Sequence, residues 1–512
     1  MLARVFLALA VAVHGGPALV GVVPNPATDG DVGEYVLVHV DDPTNLGGYA
    51  LDDGEDVVSL PNETVEGTVA ITDDPRVARG VANRPTVVVP EMLSLSNGGE
   101  TVRLRRDERT LDSITYGTAP EAERYRNGTW TPLGTTAFPV VERSDVPVEA
   151  FALPDDPDRP MATIRSADRR LLLAGYTVTS PAVADALIAA ARRGVAVSVL
   201  VEGGPVGGTP APQLDVLERL TDAGVRVVAS GGPRARYDYH HAKYLVADDA
   251  VLVTSENWEP SGIGGRGSRG WGVRVDDPAL AAHLASVFAA DAGWVDARPW
   301  RSLDHEGQAE GLTNDTYPRR FGPTASTADD VAVLLAPDNA ESRLVDLLDG
   351  ANESIRVEQV SVDPEGPLLA AAIRAARRGV RVRLLLSGAW YVEADNRALV
   401  RTVSALAERE ALPIAARLVE PRSRFDHVHV KGVVVDERRT VVGSINWNRH
   451  ALRENREVAV VVEDPAVGAY YARLFRADWR GAAWRVHWLT VAGLAVAMVV
   501  AGFAARRIEF EG

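Results

Sequence analysis

The sequence predicts a multi-domain protein that contains a β-sandwich, two duplicated α/β/α halves and one C-terminal transmembrane helix. Its 512 residues exceed what one hydrophobic core usually holds, so about two to four domains are expected. Three observations carry this prediction: short alternating strands near the N-terminus, a segment that occurs twice, and a long apolar run near the C-terminus.

The N-terminal region divides into three parts. Residues 1–20 are typical of a secretory signal segment, because a short charged region precedes an apolar stretch too short to span a bilayer. Residues 21–118 alternate apolar and polar positions between turn signals such as Asn97-Gly98-Gly99, which predicts the strands and hairpins of a β-sandwich. Residues 119–148 are rich in Pro, Thr, Gly and charge and are predicted to be a linker.

Four segments of the sandwich region resemble the lamin-tail domain. They are EYV at 34–36, LGGYALD at 46–52, LSNGGETVRL at 95–104 and DSITY at 112–116. The resemblance implies an immunoglobulin-like β-sandwich, a module that is appended to surface enzymes. No acid–base constellation is visible in it, so we expect a role in binding or spacing.

The remainder of the chain is predicted to be an internal duplication. The sequence AARRGV occurs at 190–195 and again at 375–380, each time after an Ala-rich helical stretch and before a Val/Leu strand. A second repeated motif begins at His241 and at His429, at a nearly equal offset. Two similar offsets in the same order indicate one α/β domain repeated, at 149–300 and 331–485, with a linker at 301–330.

The C-terminus is predicted to cross a membrane. Residues 488–505 are a run of mostly Ala, Val, Leu and Gly, long enough to span a bilayer, and Arg506-Arg507 marks the cytoplasmic side. We therefore expect the bulk of the chain outside the cell, a cytoplasmic tail at 506–512 and a location at the cell membrane. A buried core helix is the alternative interpretation of the same run.

The composition limits the chemistry. Asp and Glu outnumber Lys and Arg by 70 to 54, which gives a formal charge of −16, and only two of the basic residues are lysines. This pattern indicates a halophilic source, and it argues against general binding to a nucleic-acid backbone, which needs positive surface charge. Without cysteine, the chain has neither disulfides nor thiolate metal sites.

Both lysines lie in the same motif, His-x-Lys-x4-Asp, followed by Ser-x-Asn. Alternation along a strand places the His and Lys side chains of each motif on one face. One imidazole can attack phosphorus and a second can protonate the leaving alkoxide, while ammonium, hydroxyl and amide groups bind the phosphate oxygens. The residues are His241, Lys243, Asp248, Ser255 and Asn257 in the first copy, and His429, Lys431, Asp436, Ser444 and Asn446 in the second.

This doubled motif resembles the phospholipase D superfamily over residues 149–485. The resemblance implies two phospholipase D-like halves, a covalent phosphohistidine on one histidine, a general acid on the other, and no metal or other cofactor. We assign His241 as nucleophile and His429 as acid, and Glu457 as the carboxylate that orients a catalytic histidine. The predicted phosphate ligands besides the lysines are Ser255, Asn257, Ser444 and Asn446, whereas Asp248 and Asp436, although part of the catalytic motif, are expected to brace the strand.

The first copy departs from the family pattern. It has Thr254 where glycine is usual, one residue fewer before Ser255, and Gly or Ser in the stretch 268–270 where the second copy has Glu457. The missing carboxylate leaves open what orients the other imidazole, and Glu256 and Glu259 are the candidates. A metal site is an alternative for the histidine pairs, namely His240, His241, His427 and His429, but a lysine ammonium among them would repel a cation.

Three hypotheses for the substrate and function fit the sequence. The leading hypothesis is a phospholipid, cleaved by hydrolysis or by cardiolipin-synthase-like phosphatidyl transfer, because the predicted membrane helix follows the catalytic region closely. A cell-surface endonuclease of the same superfamily is the alternative, with DNA as its substrate. A catalytically inactive binding protein is the third interpretation. Oligomeric state is undetermined, since the duplication lets a monomer hold a complete site.

Overall fold

The computed structural model describes residues 16–27, 29–74, 85–232, 235–303, 306–309, 315–421 and 423–481. Most of the predicted signal segment, and all of the predicted membrane helix 488–505 and tail 506–512, lie outside these residues. Within them, no helix is both long enough and apolar enough to cross a membrane. The first strand begins at Ala18, inside the predicted segment 1–20, because residues 18–23 pair with residues 35–39.

The N-terminal domain consists of two sheets that share one core. A six-stranded sheet has the order β10-β9-β1-β2-β5-β6, and a four-stranded sheet has the order β4-β3-β7-β8. Val36 and Val38 of the first sheet pack in one buried cluster with Leu51 and Leu104 of the second, which makes the domain a β-sandwich. Its strands are β1 (Ala18–Val23), β2 (Tyr35–Asn45), β3 (Tyr49–Asp52), β4 (Val57–Ser59), β5 (Thr64–Thr72), β6 (Thr86–Val88), β7 (Glu100–Arg106), β8 (Arg109–Tyr116), β9 (Glu123–Arg126) and β10 (Thr129–Pro132).

The region predicted as a linker, residues 119–148, is instead structured. The hairpin of β9 and β10 adds to the sandwich through the pairing of Tyr125 with Val22. Tyr125 and Trp130 pack against each other, with ring centroids 5.0 Å apart, and Trp130 lies edge-on to Tyr116. Their burial favours strand structure in a segment whose Pro, Thr and Gly content indicated a loop.

The two halves of the duplication share one order of main strands and helices, apart from a few short elements that occur in only one of them. The first half contains β11 (Val141–Leu153), α1 (Asp158–Arg165), β12 (Arg170–Gly175), α2 (Pro181–Arg192), β13 (Ala196–Glu202), β14 (Thr209–Pro210), α3 (Ala211–Asp222), β15 (Arg226–Ser230), β16 (Tyr244–Ala247), β17 (Ala250–Thr254), β18 (Gly270–Asp276), α4 (Pro278–Asp291) and β19 (Arg298–Pro299).

The second half follows a 3₁₀ turn at Trp300–Ser302 and the short strand β20 (Gly307–Gln308). Its first strand begins at Thr324, so the structured half starts before the predicted boundary at 331. It contains β21 (Thr324–Ala336), α5 (Ala340–Asp349), β22 (Ser354–Gln359), α6 (Pro367–Arg377), β23 (Arg381–Leu386), α7 (Glu393–Glu410), β24 (Ile414–Leu418), β25 (Gly432–Val435), β26 (Arg439–Gly443), α8 (Arg449–Arg453), β27 (Glu457–Glu463) and α9 (Pro465–Arg480).

The two halves join into one 15-stranded sheet. Its order is β19-β15-β13-β12-β16-β17-β18-β11-β21-β27-β26-β25-β22-β23-β24, so the strands on either side of the antiparallel β11–β21 pair mirror each other. Equivalent helices begin with equivalent caps: Asp277 accepts a hydrogen bond from Leu280 N at the start of α4, and Asp464 accepts one from Val467 N at the start of α9. The halves are therefore related by a pseudo-two-fold axis that brings the two motifs together.

Candidate active site

Each motif histidine is held by the backbone of the opposite half. The amide of His241 donates to the carbonyl oxygen of Arg456 at 2.9 Å, and the amide of His429 donates to the carbonyl oxygen of Arg269 at 2.9 Å. The two arginines occupy matching positions, immediately before β27 and β18. The position of each imidazole thus depends on how the two halves pack.

The side chains of these arginines lock the halves together below the site. Arg456 is fully buried and forms ion pairs with Asp338 of its own half at 2.8 Å and with Asp291 of the other half at 2.9 Å. Arg269 is paired in the same way with Asp155 of its own half and with Asp478 of the other half. Buried guanidinium groups with two carboxylate partners each make this interface geometrically specific.

Both imidazoles are oriented by carboxylates through Nδ1. His241 Nδ1 lies 2.7 Å from Oε1 of Glu457, and His429 Nδ1 lies 3.3 Å from Oε2 of Glu256. The bonds cross between the halves, since each carboxylate belongs to the half opposite its histidine. A carboxylate at Nδ1 fixes the tautomer, so Nε2 of each ring is left to face a substrate.

Glu256 supplies the carboxylate that the first copy lacks at the usual place. The first residue of β18 is Gly270, where the matching strand β27 begins with Glu457. A Cβ atom at Gly270 would lie 2.2 Å from Cγ of Glu256, so the glycine leaves the space that the Glu256 side chain fills. Glu259, the other candidate, bonds instead to Thr177, Asn257 and Ser261.

The two lysines are buried beside the imidazoles. Lys243 Nζ donates to the carbonyl oxygen of His241 at 2.7 Å and lies 5.3 Å from the centroid of the Tyr176 ring. Lys431 Nζ donates to the carbonyl oxygen of His429 at 3.0 Å and lies 3.4 Å from that of Ser255, across the halves. The two copies of the motif therefore meet in a single site.

Burial has the largest effect on the pKa values of these histidines and lysines. It lowers the pKa of His241 to about 4 and that of His429 to about 3, against the partial opposition of Glu457 and Glu256. Burial also lowers the pKa of Lys243 to about 8, and that of Lys431 falls well below its ordinary value through burial and repulsion from Lys243. At neutral pH both imidazoles are neutral, and the carboxylates of Glu256 and Glu457 partly offset the effect of burial on the pKa of each lysine.

The low pKa of His241 predicts an acid-sensitive fold. Between its ordinary value of 6.5 and its folded value of about 4, the unfolded chain binds a proton that the folded chain excludes. The free energy of unfolding is therefore expected to fall as the pH decreases through this window. Urea unfolding at several pH values measures the slope, and His241→Asn is expected to make it shallower. An unchanged slope would contradict the burial of a neutral imidazole.

The motif serines and asparagines are placed differently from one another. Ser255 and Ser444 are fully buried, and their hydroxyl oxygens accept hydrogen bonds from Trp271 N and Val458 N of the neighbouring strands. These bonds brace the neighbouring strands, and the role of both serines as phosphate ligands stays a prediction. Asn257 and Asn446 are half-buried, and within the described residues the Oδ1 atom of each has no hydrogen-bond partner.

Asp248 and Asp436 lie at the far end of the motif strands, and their hydrogen bonds go to the backbone beyond them. Asp248 accepts hydrogen bonds from three successive amides, those of residues 168–170, at 2.7–2.9 Å. Asp436 accepts the same three bonds from residues 352–354 at 2.8–2.9 Å. These amides hold the pKa of both carboxyls below the usual range against the opposing effect of burial. Both residues are thus structural, although the motif includes them.

Replacing Asp248 by asparagine is expected to lower the free energy of unfolding by about 1–3 kcal/mol, because one amide oxygen cannot accept all three bonds. Chemical denaturation measures the change, and kcat of the folded variant should be retained. The matched control is Asp249→Asn, whose side chain is exposed and pairs only with Arg169. Loss of kcat with unchanged stability would place Asp248 in the site after all.

A cavity of about 520 Å³ opens above the imidazole of His429. Its walls include Tyr176, Asn257 and Glu259. The edge of the Tyr176 ring contacts His241, with centroids 4.9 Å apart. Tyr176 was not identified from the sequence. Its position directly after the parallel strand β12 could have indicated a ligand contact, because α/β sheets bind ligands at the carboxyl ends of their strands.

The histidines considered as metal ligands do not converge. His240 is buried and faces Asp291 at 3.5 Å, below the site, whereas His427 is partly exposed next to Asp426. Across the described part of the chain, no three His, Asp or Glu side chains form a group able to hold a metal ion.

Comparisons with known proteins agree with the duplicated motif. The family model described as "Cardiolipin synthase, PLD-like domain" matches residues 161–292 and 344–479, more than half of the chain. Cardiolipin synthase B of Salmonella typhi is 26% identical over 297 residues, which cover 54% of this chain and 66% of that protein. Cardiolipin synthase B of Escherichia coli K12 matches to the same extent. The chain thus spans just under two thirds of the length of these relatives.

Among solved structures, phosphatidylserine synthase of Haemophilus influenzae Rd KW20 aligns with a TM-score of 0.48 and 13% identity, over 64% of this chain and 84% of that one. The phospholipase D family member Nuc of Salmonella typhimurium aligns with a TM-score of 0.27 and 21% identity, over 30% of this chain and 98% of that one. These scores are too low to carry an argument. The family model, which matches both halves, shows that the chain belongs to the family of cardiolipin synthase PLD-like domains.

Proposed function

We propose that this protein is a phosphodiesterase of the phospholipase D type that acts on phospholipid through a phosphohistidine intermediate. One observation carries the proposal: two imidazoles, each held at Nδ1 by a carboxylate of the opposite half, share a site with two buried lysine side chains. A phosphodiester anion bound beside both lysines would favour their charged forms and relieve the repulsion between them.

In the first step, Nε2 of His241 attacks phosphorus and the bond from phosphorus to the leaving oxygen breaks. The 2.7 Å contact with Glu457, shorter than the 3.3 Å contact at His429, supports His241 as nucleophile because the carboxylate stabilises positive charge on the ring. His429, protonated once the anionic substrate is bound, donates its proton to the departing alkoxide. Lys243 and Lys431 stabilise the charge on the phosphate oxygens.

In the second step, an acceptor hydroxyl gives its proton to His429 and attacks the phosphohistidine. The phosphorus–nitrogen bond then breaks, which restores neutral His241 and returns His429 to its protonated form. Water as acceptor makes the reaction a hydrolysis, whereas a lipid alcohol makes it a phosphatidyl transfer. The family and the names of the relatives, cardiolipin synthases, support the phospholipid substrate and the transfer reaction.

The proposal includes attachment to the cell membrane, with the catalytic region outside and the C-terminus in the cytoplasm. It is supported by the apolar composition of residues 488–505 and by the arginine pair that follows them. The last described helix, α9, ends at Arg480, so a helix at 488–505 would hold the site near lipid.

The test is a comparison of two substrates. The full chain, in high salt with a chelator, is given phospholipid vesicles and, separately, plasmid DNA. We expect release of the head group or formation of a transferred phosphatidyl product, with the plasmid intact. Lys431→Met, which removes one ammonium from the site, should reduce lipid turnover by about 10²-fold or more. Nicking of plasmid without turnover of lipid would overturn the proposed substrate.

A further inference from the structure

The two most exposed large apolar side chains of the described residues lie at the mouth of the same cavity. Trp390 is 88% exposed and Val206 is 74% exposed, and both line the opening above His429. Tyr391, next to Trp390, is half-exposed and lines it as well. Large apolar side chains that gather at one opening are typical of an interaction surface, whereas scattered ones are not.

These residues belong to loops that the pseudo-two-fold axis relates. Val206 lies in the loop after β13, and Trp390 and Tyr391 lie in the loop after β23, the strand that matches β13 in the sheet. Both halves therefore present an apolar tip beside the same opening. We call these two loops, residues 203–208 and 387–392, the rim loops.

The rim loops are connected to the reacting groups. The amide of Val206 donates to the hydroxyl oxygen of Tyr176 at 2.6 Å, and the ring of Tyr176 contacts His241. On the opposite side, Trp390 and Tyr391 pack against each other with centroids 5.7 Å apart. A surface that covers both tips would hold a phosphodiester at the opening above His429.

We infer that the rim loops dock onto the surface of a phospholipid bilayer and insert Trp390 and Val206 at the level of the head groups. Indole and phenol rings, which are apolar with one polar tip, are the side chains that favour this interface. The net charge of −16 disfavours attraction to anionic head groups, so we expect apolar contact to provide the binding. The inference rests on the proposed function, because it takes the ligand to be phospholipid.

The absence of cysteine from the sequence permits a direct test with the full chain. Trp390→Cys and Val206→Cys each create one site for an environment-sensitive fluorophore. The matched control is Val295→Cys, at a valine that is 47% exposed and does not line the cavity. On addition of phosphatidylglycerol and phosphatidylcholine vesicles in high salt, the labels at 390 and 206 are expected to become protected from a water-soluble quencher, while the label at 295 stays accessible.

Turnover gives the second readout. Trp390→Ser is expected to lower turnover of vesicle phospholipid by about tenfold, the effect of losing one inserted aromatic side chain. Turnover of a soluble short-chain phosphodiester should be unchanged. Equal quenching at 390 and 295 with lipid present would overturn the inference, as would protection that appears without lipid as protein concentration rises, since a second copy of the chain would then cover the rim. Protection at 390 and 206 without any turnover would support docking and overturn the proposed function.

Discussion

His241→Ala is expected to abolish turnover of every phosphodiester, whereas His429→Ala is expected to spare the first step for substrates whose leaving group needs no proton. Loss of the nucleophile removes the covalent route, so kcat should fall by about 10⁴-fold or more for all esters. Loss of the acid should slow the first step by about 10²- to 10⁴-fold for an alkyl phosphodiester and far less for a nitrophenyl phosphodiester. The rate of leaving-group release in the first turnover, measured with both esters, distinguishes the two patterns.

The intermediate gives the same experiment a second readout. With the nitrophenyl ester, His429→Ala can still form the phosphohistidine but lacks the base that activates the acceptor hydroxyl. Intact-protein mass spectrometry should therefore detect the covalent adduct in His429→Ala and not in His241→Ala. The reverse pattern would assign the nucleophile to His429. An adduct in both variants would exclude both assignments.

His39→Ala serves as the control for these substitutions. His39 lies on β2 of the sandwich, where its ring contacts Thr68 rather than the site. Its replacement should leave both esters unaffected. The comparison separates a chemical role of the imidazoles from a general effect of removing a histidine.

The sequence was sufficient to predict the paired motifs, because a repeat with nearly constant offset implies a pseudo-symmetric pair of halves. It did not decide which carboxylate serves His429. That choice depends on tertiary packing. Gly270 and Glu256 are separated in the sequence, but in the folded chain the Glu256 side chain fills the space that a side chain at position 270 would need. The first copy thus has glycine where the second has glutamate, and a glutamate at another position supplies the carboxylate.

The other differences have similar causes. Ser255 and Ser444 match a motif, but only the positions of β18 and β27 show that their hydroxyls are engaged by backbone amides. The segment 119–148 has the composition of a linker, yet Tyr125 and Trp130 find an aromatic partner in Tyr116, which lies on the other sheet. Tertiary contacts thus override local composition at these places.

The buried ion pairs of Arg269 and Arg456 at the interface of the halves contribute both to the stability of the fold and to the position of the catalytic histidines. Arg456 forms ion pairs with two buried carboxylates and donates to Thr136, a residue of the connection from the sandwich. Its carbonyl oxygen fixes the backbone of His241. Buried ion pairs add little to stability when compared with an apolar replacement of the whole group, but removal of one partner leaves charge without compensation.

Arg456→Met is therefore expected to lower the free energy of unfolding by about 3–5 kcal/mol, because Asp291 and Asp338 would be left buried and unpaired. Despite burial, Arg456 and His240 hold the pKa of Asp291 at about 2, so the stability that this carboxylate contributes is present above its ordinary pKa of 3.8 and is lost as the pH falls toward 2. The difference in the free energy of unfolding between wild type and variant, measured by urea denaturation, should accordingly shrink as the pH falls across that window.

The surface substitution Arg397→Met, which breaks an exposed pair with Glu393, is the control and should change the free energy of unfolding by less than about 0.5 kcal/mol at any pH. An equally small effect of Arg456→Met would mean that the halves pack without this network, and that the backbone of His241 is positioned by other contacts.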